Sequence, residues 1–404
     1  MDSKARINFN NEFTEDRYRH FLDDIAKSAG ITIPFRIAET PVFITTALLK
    51  ELLIAGADIL SQILLPEKLE RSIEAVPNSC KVPGDNVRPT MLALDFALVF
   101  DDRKNVVPRL IELQGFPSLY YYQDLLAEKY KEAFPDFSQW SHLFMDEAVW
   151  KVKMKDLIIG VHHPDDVVLM ELDPRNQNTY IDFLETSRHT GIDIVCISEL
   201  FVENGFVYRI KNGVNRKVHR IYNRVIFEEL QKRPELLKGF HPTDHVEVEW
   251  VCHPDWYFRI SKHTLPILES EFVPHTIFAN DPAVDRLELS NYVLKPLFSF
   301  SGSGIELDVD SKMISELVDP SQYILQKKID YAPCIQTPDV NAKAEIRLMY
   351  AWFEQDGQPT PVITLARLSK GAMVGVKYNQ NRTWVGSSVG LWDASILYNK
   401  CQEH

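Results

Sequence analysis

No two cysteines in this 404-residue sequence stand close enough to form a C-x-x-C pair. Cys80, Cys196, Cys252, Cys334 and Cys401 are scattered and odd in number. That excludes a disulfide framework and a zinc site built on paired thiols, and it fits reduced thiols in a cytoplasm. The opening MDSKARINFNNEF has no apolar core of the kind a secretory leader needs. No long hydrophobic run is free of charge: the longest, Pro41–Pro66, carries Lys50, Glu51 and Asp58. It reads as a buried or amphipathic helix, not a membrane span. There is no basic stripe, and the formal net charge is -13, so nucleic acid and anionic membrane are poor partners. An anionic small molecule would need a local cationic pocket set against that global field. Internal repeats and low-complexity tracts are also missing.

The chain is too long for one ordinary core, and two or three domains are expected. Residues 14–28 and 41–65 have helical spacing, with apolar side chains three and four apart. Residues 92–100 (LALDFALVF) and 106–113 (VVPRLIEL) read as a strand pair around the turn 101–105, followed by a helix over 120–134. Short apolar runs follow at 156–161 and 167–172. A helix over 178–190 should stop at Gly191, ahead of an apolar strand at 192–197. Strand, helix, strand at this spacing is a βαβ unit of a parallel sheet. Residues 206–210 and 217–222 flank the turn Asn212-Gly213. Later strands are expected at 293–297, 323–329, 345–353 and 362–369.

Chemistry concentrates in four places. The stretch Tyr292–Ile305, YVLKPLFSFSGSGI, delivers Lys295 on a strand and then a loop with Ser301, Gly302, Ser303 and Gly304. A lysine beside a loop whose backbone can approach closely suits a polyphosphate, since glycine leaves the N–H groups uncovered. It is not a Walker A loop: the lysine precedes the glycines and no Gly-Lys-Ser/Thr follows. In the early hairpin, Asp95 interrupts an apolar strand, while Glu112 and Gln114 share a face of its partner. Two carboxylates and an amide oxygen make a hard-oxygen set of the kind Mg²⁺ takes. YILQKKI at 323–329 ends an apolar strand with Gln326 and Lys327, which could offer an edge to a base. Arg347 and Arg367 each stand inside strands that otherwise read as core, which marks them as pocket-facing cations or as ion-pair partners.

Together these motifs resemble the ATP-grasp superfamily, and more narrowly its circularly permuted branch, which includes the synthetase domain of glutathionylspermidine synthase. The hairpin motif comes first and the lysine–glycine strand last, the order of the permuted form. The resemblance spans roughly residues 88–391. It implies a mixed α/β (α+β) fold: a circularly permuted ATP-grasp with an inserted pre-ATP-grasp βαβ domain. Residues 1–150 would carry a helical segment and the metal-binding half, 151–250 the inserted domain, and 251–404 the nucleotide-binding half. It further implies ATP and Mg²⁺ as cofactors. Lys262, Lys295, Ser301, Gly302, Ser303 and Gly304 would hold the phosphates, and Gln326 and Lys327 the adenine. Asp95, Glu112 and Gln114 would hold the metal. Arg347 and Arg367 would face the triphosphate or an acyl phosphate.

The implied reaction joins a small-molecule or peptide carboxylate to an amine. A small-molecule kinase and a degenerate nucleotide-binding relative are the alternatives. Gln114 replaces the family's asparagine, and Ala93 stands where the relative has an arginine that Arg88 could supply only from a folded-back loop. Asn379 or Asn381 would fill the place of the family's late asparagine. In the middle region Glu171, Asp173, Arg188, Asn223 and Arg224 sit where open α/β sheets gather ligands, and each also reads as a cap or an ion pair. His162-His163 finds no third metal ligand at suitable spacing.

Overall fold

The computed structural model describes residues 1–394 apart from 85–86, 300–301, 372–373, 375–378 and 380. Cys401 and the loop residue Ser301 therefore lie outside the described residues. In chain order the elements that matter here are α1 (Glu15–Ala29), α2 (Thr46–Ile63), β1 (Met91–Phe100), β2 (Val106–Gln114) and α3 (Tyr120–Ala133). Then come β3 (Val167–Glu171), α4 (Tyr180–Thr190), β4 (Asp193–Cys196), β5 (Arg220–Asn223) and β6 (Glu249–Val251). The chain closes with β7 (Thr276–Phe278), β8 (Tyr292–Pro296), β9 (Tyr323–Lys327), β10 (Lys343–Ala351), β11 (Thr360–Ser369) and β12 (Gly386–Ser388).

A five-stranded antiparallel sheet, ordered β12-β11-β10-β1-β2, is the centre of the molecule. Two adjacent inner strands, β1 and β10, come from distant parts of the sequence: Asp95 pairs with Arg347 and Ala93 with Met349. Strand side chains alternate between faces, and here the alternation divides two environments. Leu92, Leu94, Phe96 and Leu98 join Ile346, Leu348, Ala366 and Leu368 in one buried cluster beneath α2, which supplies Leu48, Leu52, Ala55 and Ile59. The opposite face is apolar at one end only, where Met91, Ala93, Met349, Leu365 and Ile363 pack together. At its other end the same face carries Asp95, Glu345, Arg347 and Arg367, joined by the register Asp95–Arg347 and Glu345–Arg367.

The βαβ expectation is realised. β3 and β4 are parallel neighbours linked through α4, inside a four-stranded parallel sheet ordered β6-β5-β3-β4. Gly191 ends α4 with φ 84°, the left-handed geometry a helix C-terminus favours. Asn212 and Gly213 both have positive φ, as a two-residue hairpin turn between Phe206–Lys211 and Val214–Val218 requires. The apolar run at 156–161 behaves differently: its first residues finish the helix Glu147–Ile159, which buries Trp150, Met154 and Ile158 at helical spacing. A third sheet, β7-β9-β8, is antiparallel and stands across a cleft from the central one. α1 and α3 share an aromatic cluster that includes Phe9, Phe21, Phe43, Tyr122, Tyr130 and Phe134. Cys80, Cys196, Cys252 and Cys334 are free thiols. Among the described residues no helix is long and apolar enough to cross a membrane.

Candidate active site

The cleft between the central sheet and β7-β9-β8 has a volume of about 1630 Å³, and Glu112, Lys262, Lys295, Gln326, Arg347 and Arg367 all line it. These six residues come from six separate elements.

Lys295 is placed by β8, opposite Ile324 of β9. Its Nζ donates to the Gln326 Oε1 at 2.6 Å and to the Ile111 carbonyl at 3.1 Å. That carbonyl is available because the β1–β2 register shifts there: Asp95 pairs with Glu112 and Phe96 with Leu110, leaving Ile111 as the extra residue of a bulge. Burial pushes the Lys295 ammonium down to about 8, against the upward pull of Glu112. Lys262 begins a short 3₁₀ segment and is also buried. Its Nζ donates to the Ser299 carbonyl at 2.6 Å and pairs with Glu112 Oε1 at 2.9 Å. Gly302 and Gly304 have φ of 72° and 71°, conformations that side chains rarely adopt, and they line the cleft with Ser303. Lys327 is exposed at the cleft edge, and Asn379 and Asn381 line its far side.

On the floor, Arg347 grips Asp95 with both ends of its fork, Nε to Oδ1 at 2.5 Å and Nη2 to Oδ2 at 2.7 Å. Arg367 adds a contact to Oδ2 at 3.1 Å and reaches Glu345 Oε2 at 3.1 Å. Tyr331 donates to Glu345 Oε1 at 2.6 Å. Burial would lift the Asp95 carboxyl, but Arg347 first and Arg367 second hold it below its ordinary range. For Glu345 burial prevails and its carboxyl is raised. Burial opposes charge on Arg367 too, yet Glu345, Asp95 and Glu112 raise its already high value.

Of the residues expected to hold Mg²⁺, Asp95 and Glu112 stand opposite each other in the β1–β2 pair and are engaged by cationic side chains of this chain. Both oxygens of Asp95 are engaged by guanidinium groups, and the residue is only 1% exposed. Glu112 is paired with Lys262. Gln114 lies opposite Ala93, beyond the lining of the cleft. Among the described residues no group of three or more histidine, cysteine or acidic side chains is arranged to hold a metal ion.

Sequence reasoning missed four participants: Glu345, Tyr331, the Ile111 carbonyl and Gly115. Glu345 had a readable signal, because it interrupts an apolar strand two residues before Arg347. Gly115 had none. Its N–H donates to the Ile260 carbonyl at 2.7 Å, and a Cβ there would sit 2.5 Å from the Trp256 carbonyl. This contact seats the 256–260 segment that leads to Lys262. Gly115→Ala should therefore cost about 1–3 kcal/mol by overpacking. Denaturant melts should show that loss, and ligand affinity should fall with it as Lys262 is displaced.

The polar residues of the middle region are occupied structurally, and none of them lines the cleft. Glu171 accepts from the Leu172 N–H at 2.7 Å, and burial raises its carboxyl to about 8. Asp173 takes a left-handed turn, with φ 44°, and accepts from Asn176 at 2.7 Å. Arg188 pairs with Glu185, Asn223 bonds the 225 backbone, and Arg224 donates to the Pro117 carbonyl. Arg88 lies over the Trp352 ring and bonds the carbonyls of Glu354 and Asp356, so the arginine missing at 93 is not replaced from there. His162 is paired with Glu249.

Two antiparallel sheets facing each other across the cleft, with a parallel sheet beside them, give a mixed α/β fold that is similar to that of a glutathione synthetase-like protein. A glutathione synthetase-like effector from Globodera pallida, solved in its apo form, aligns over 95% of this chain and 98% of its own with a TM-score of 0.56 and 11% sequence identity. No protein-family profile and no curated sequence matches the chain.

Proposed function

We propose that this protein is an ATP-dependent ligase of the circularly permuted ATP-grasp type, joining a carboxylate to an amine through an acyl phosphate. One observation carries the reading: Lys262, Lys295, Arg347, Arg367 and the Gly302–Gly304 loop converge on a single cleft from distant parts of the sequence. The likeness to a glutathione synthetase-like effector supports a ligase-type scaffold. In such a reaction the acid attacks the γ-phosphate of ATP, releasing ADP, and the amine then displaces phosphate from the acyl carbon. The chain's own part is to gather three anions and to exclude water. Lys295 and Lys262 would hold the transferring phosphates, the arginines would orient the acid, and the Gly/Ser loop would cover them. The test is ADP release from ATP across a panel of acids and amines. Release should require one member of each class; release that ignores the amine would favour a kinase instead.

A second reading, a non-catalytic nucleotide-binding relative, is favoured by the capture of Asp95 between two arginines. Tight ADP binding without turnover on any acid–amine pair would select it.

Both readings share a pH dependence. An anion prefers the charged form of Lys295, which the free protein holds below about 8. Above that value binding must take up a proton, so affinity should fall by up to about tenfold per pH unit. Calorimetric titration of ADP between about pH 7 and pH 9 checks this. A flat affinity would remove the Lys295 charge from the account.

A further inference from the structure

Two buried donors on the floor of the cleft have no partner. The Nε of Arg367 is buried and has no hydrogen-bond partner, and the same holds for the Nε2 of Gln326, a residue only 1% exposed. The orientation of the Gln326 amide is fixed by its neighbour. The Lys295 ammonium can only donate, so the amide oxygen must face it and the NH₂ must face elsewhere. The carboxylates paired with this floor's cations are already engaged: Asp95 by Arg347 and Arg367, Glu345 by Arg367 and Tyr331, Glu112 by Lys262. A ligand that completes this site has to bring acceptor oxygens. A divalent cation brings none. It would also have to enter beside two guanidinium groups and compete with them for the same carboxylate, when Mg²⁺ tolerates little departure from an octahedral oxygen shell.

We infer that the cleft holds the polyphosphate of a nucleotide by direct contact with side-chain donors, Arg367 Nε and Gln326 Nε2 beside Lys262 and Lys295, without a divalent ion carried on Asp95, Glu112 and Gln114. Asp95 is then a positioning residue: its carboxylate fixes the planes of two guanidinium groups so that they meet an anion in one orientation. The inference rests on the nucleotide-binding part of the proposed function and departs from the metal role that the family resemblance implies for Asp95, Glu112 and Gln114.

The experiment is calorimetric titration of ADP into the intact protein, in EDTA and in MgCl₂. The dissociation constants should agree within about threefold, and inorganic tripolyphosphate should displace ADP in EDTA. Gln326→Met and Arg367→Lys should each weaken binding about tenfold in both buffers. Mn²⁺ added without nucleotide should stay free by electron paramagnetic resonance. Binding abolished by EDTA would overturn the inference and leave the ligase reading standing, as would one Mn²⁺ per chain that is lost in Glu112→Gln. Failure to bind in either buffer would overturn both. The comparison between buffers uses the unaltered protein, so it stands even where a variant does not fold.

Discussion

Lys295→Met should reduce nucleotide-dependent turnover by about 10²–10³, the loss typical of removing one preorganised electrostatic contact. The change keeps the volume of the side chain and removes its charge. Lys295 is 8% exposed, and its ammonium is held by the Ile111 carbonyl and Gln326 in a cleft it shares with Glu112, Lys262, Arg347 and Arg367. Burial makes the ammonium costly to keep, so the protein would be no less stable with methionine there; a stability gain is compatible with the argument. Loss of turnover with an unfolding midpoint at or above that of the unaltered protein is the expected pair of results. Wild-type rates in a folded Lys295→Met protein would remove this lysine from the chemistry. Lys295→Ala should lose the same activity with some added cost from the cavity.

Asp95→Ala should be among the most destabilising single changes, by about 3–5 kcal/mol, because it strands buried positive charge. Arg347 is the residue left worst off. Its side chain is 9% exposed and Asp95 takes both arms of its fork, whereas Arg367 keeps Glu345. That asymmetry gives a second, sharper expectation. Asp95→Leu combined with Arg347→Met should recover much of the lost stability, since replacing both members of a buried pair by apolar groups of similar size is often close to neutral. Urea unfolding of the two single variants and the double variant reads the coupling directly. An Asp95→Ala protein within about 1 kcal/mol of wild type would mean that water reaches the pair and screens it.

How much of this was legible in the sequence depends on the range over which each signal acts. The hairpin at 91–114, the βαβ unit and the Asn212-Gly213 turn rest on local periodicity and turn chemistry, and all were readable. The convergence of Asp95, Lys295, Arg347 and Arg367 was readable as well, because a charge inside an apolar strand has to find a partner. Which partner it finds was not. Asp95 satisfies the rule equally well with a metal or with an arginine, and only the register of β1 against β10 places Arg347 directly across from it. The bulge that frees the Ile111 carbonyl and the close approach at Gly115 follow from backbone geometry and leave no mark on residue type.

The pairing of β1 with β10 also sets an order of events during synthesis. A ribosome makes β1 early and β10 only after the whole parallel sheet and β7, β8 and β9 have emerged. Until then Asp95 is a carboxylate on an apolar strand without its counterion, and the nascent hairpin exposes an unpaired edge. The connectivity itself leaves this edge unpaired until the last strands arrive. Fragments that stop short of residue 343 should aggregate where the complete chain does not.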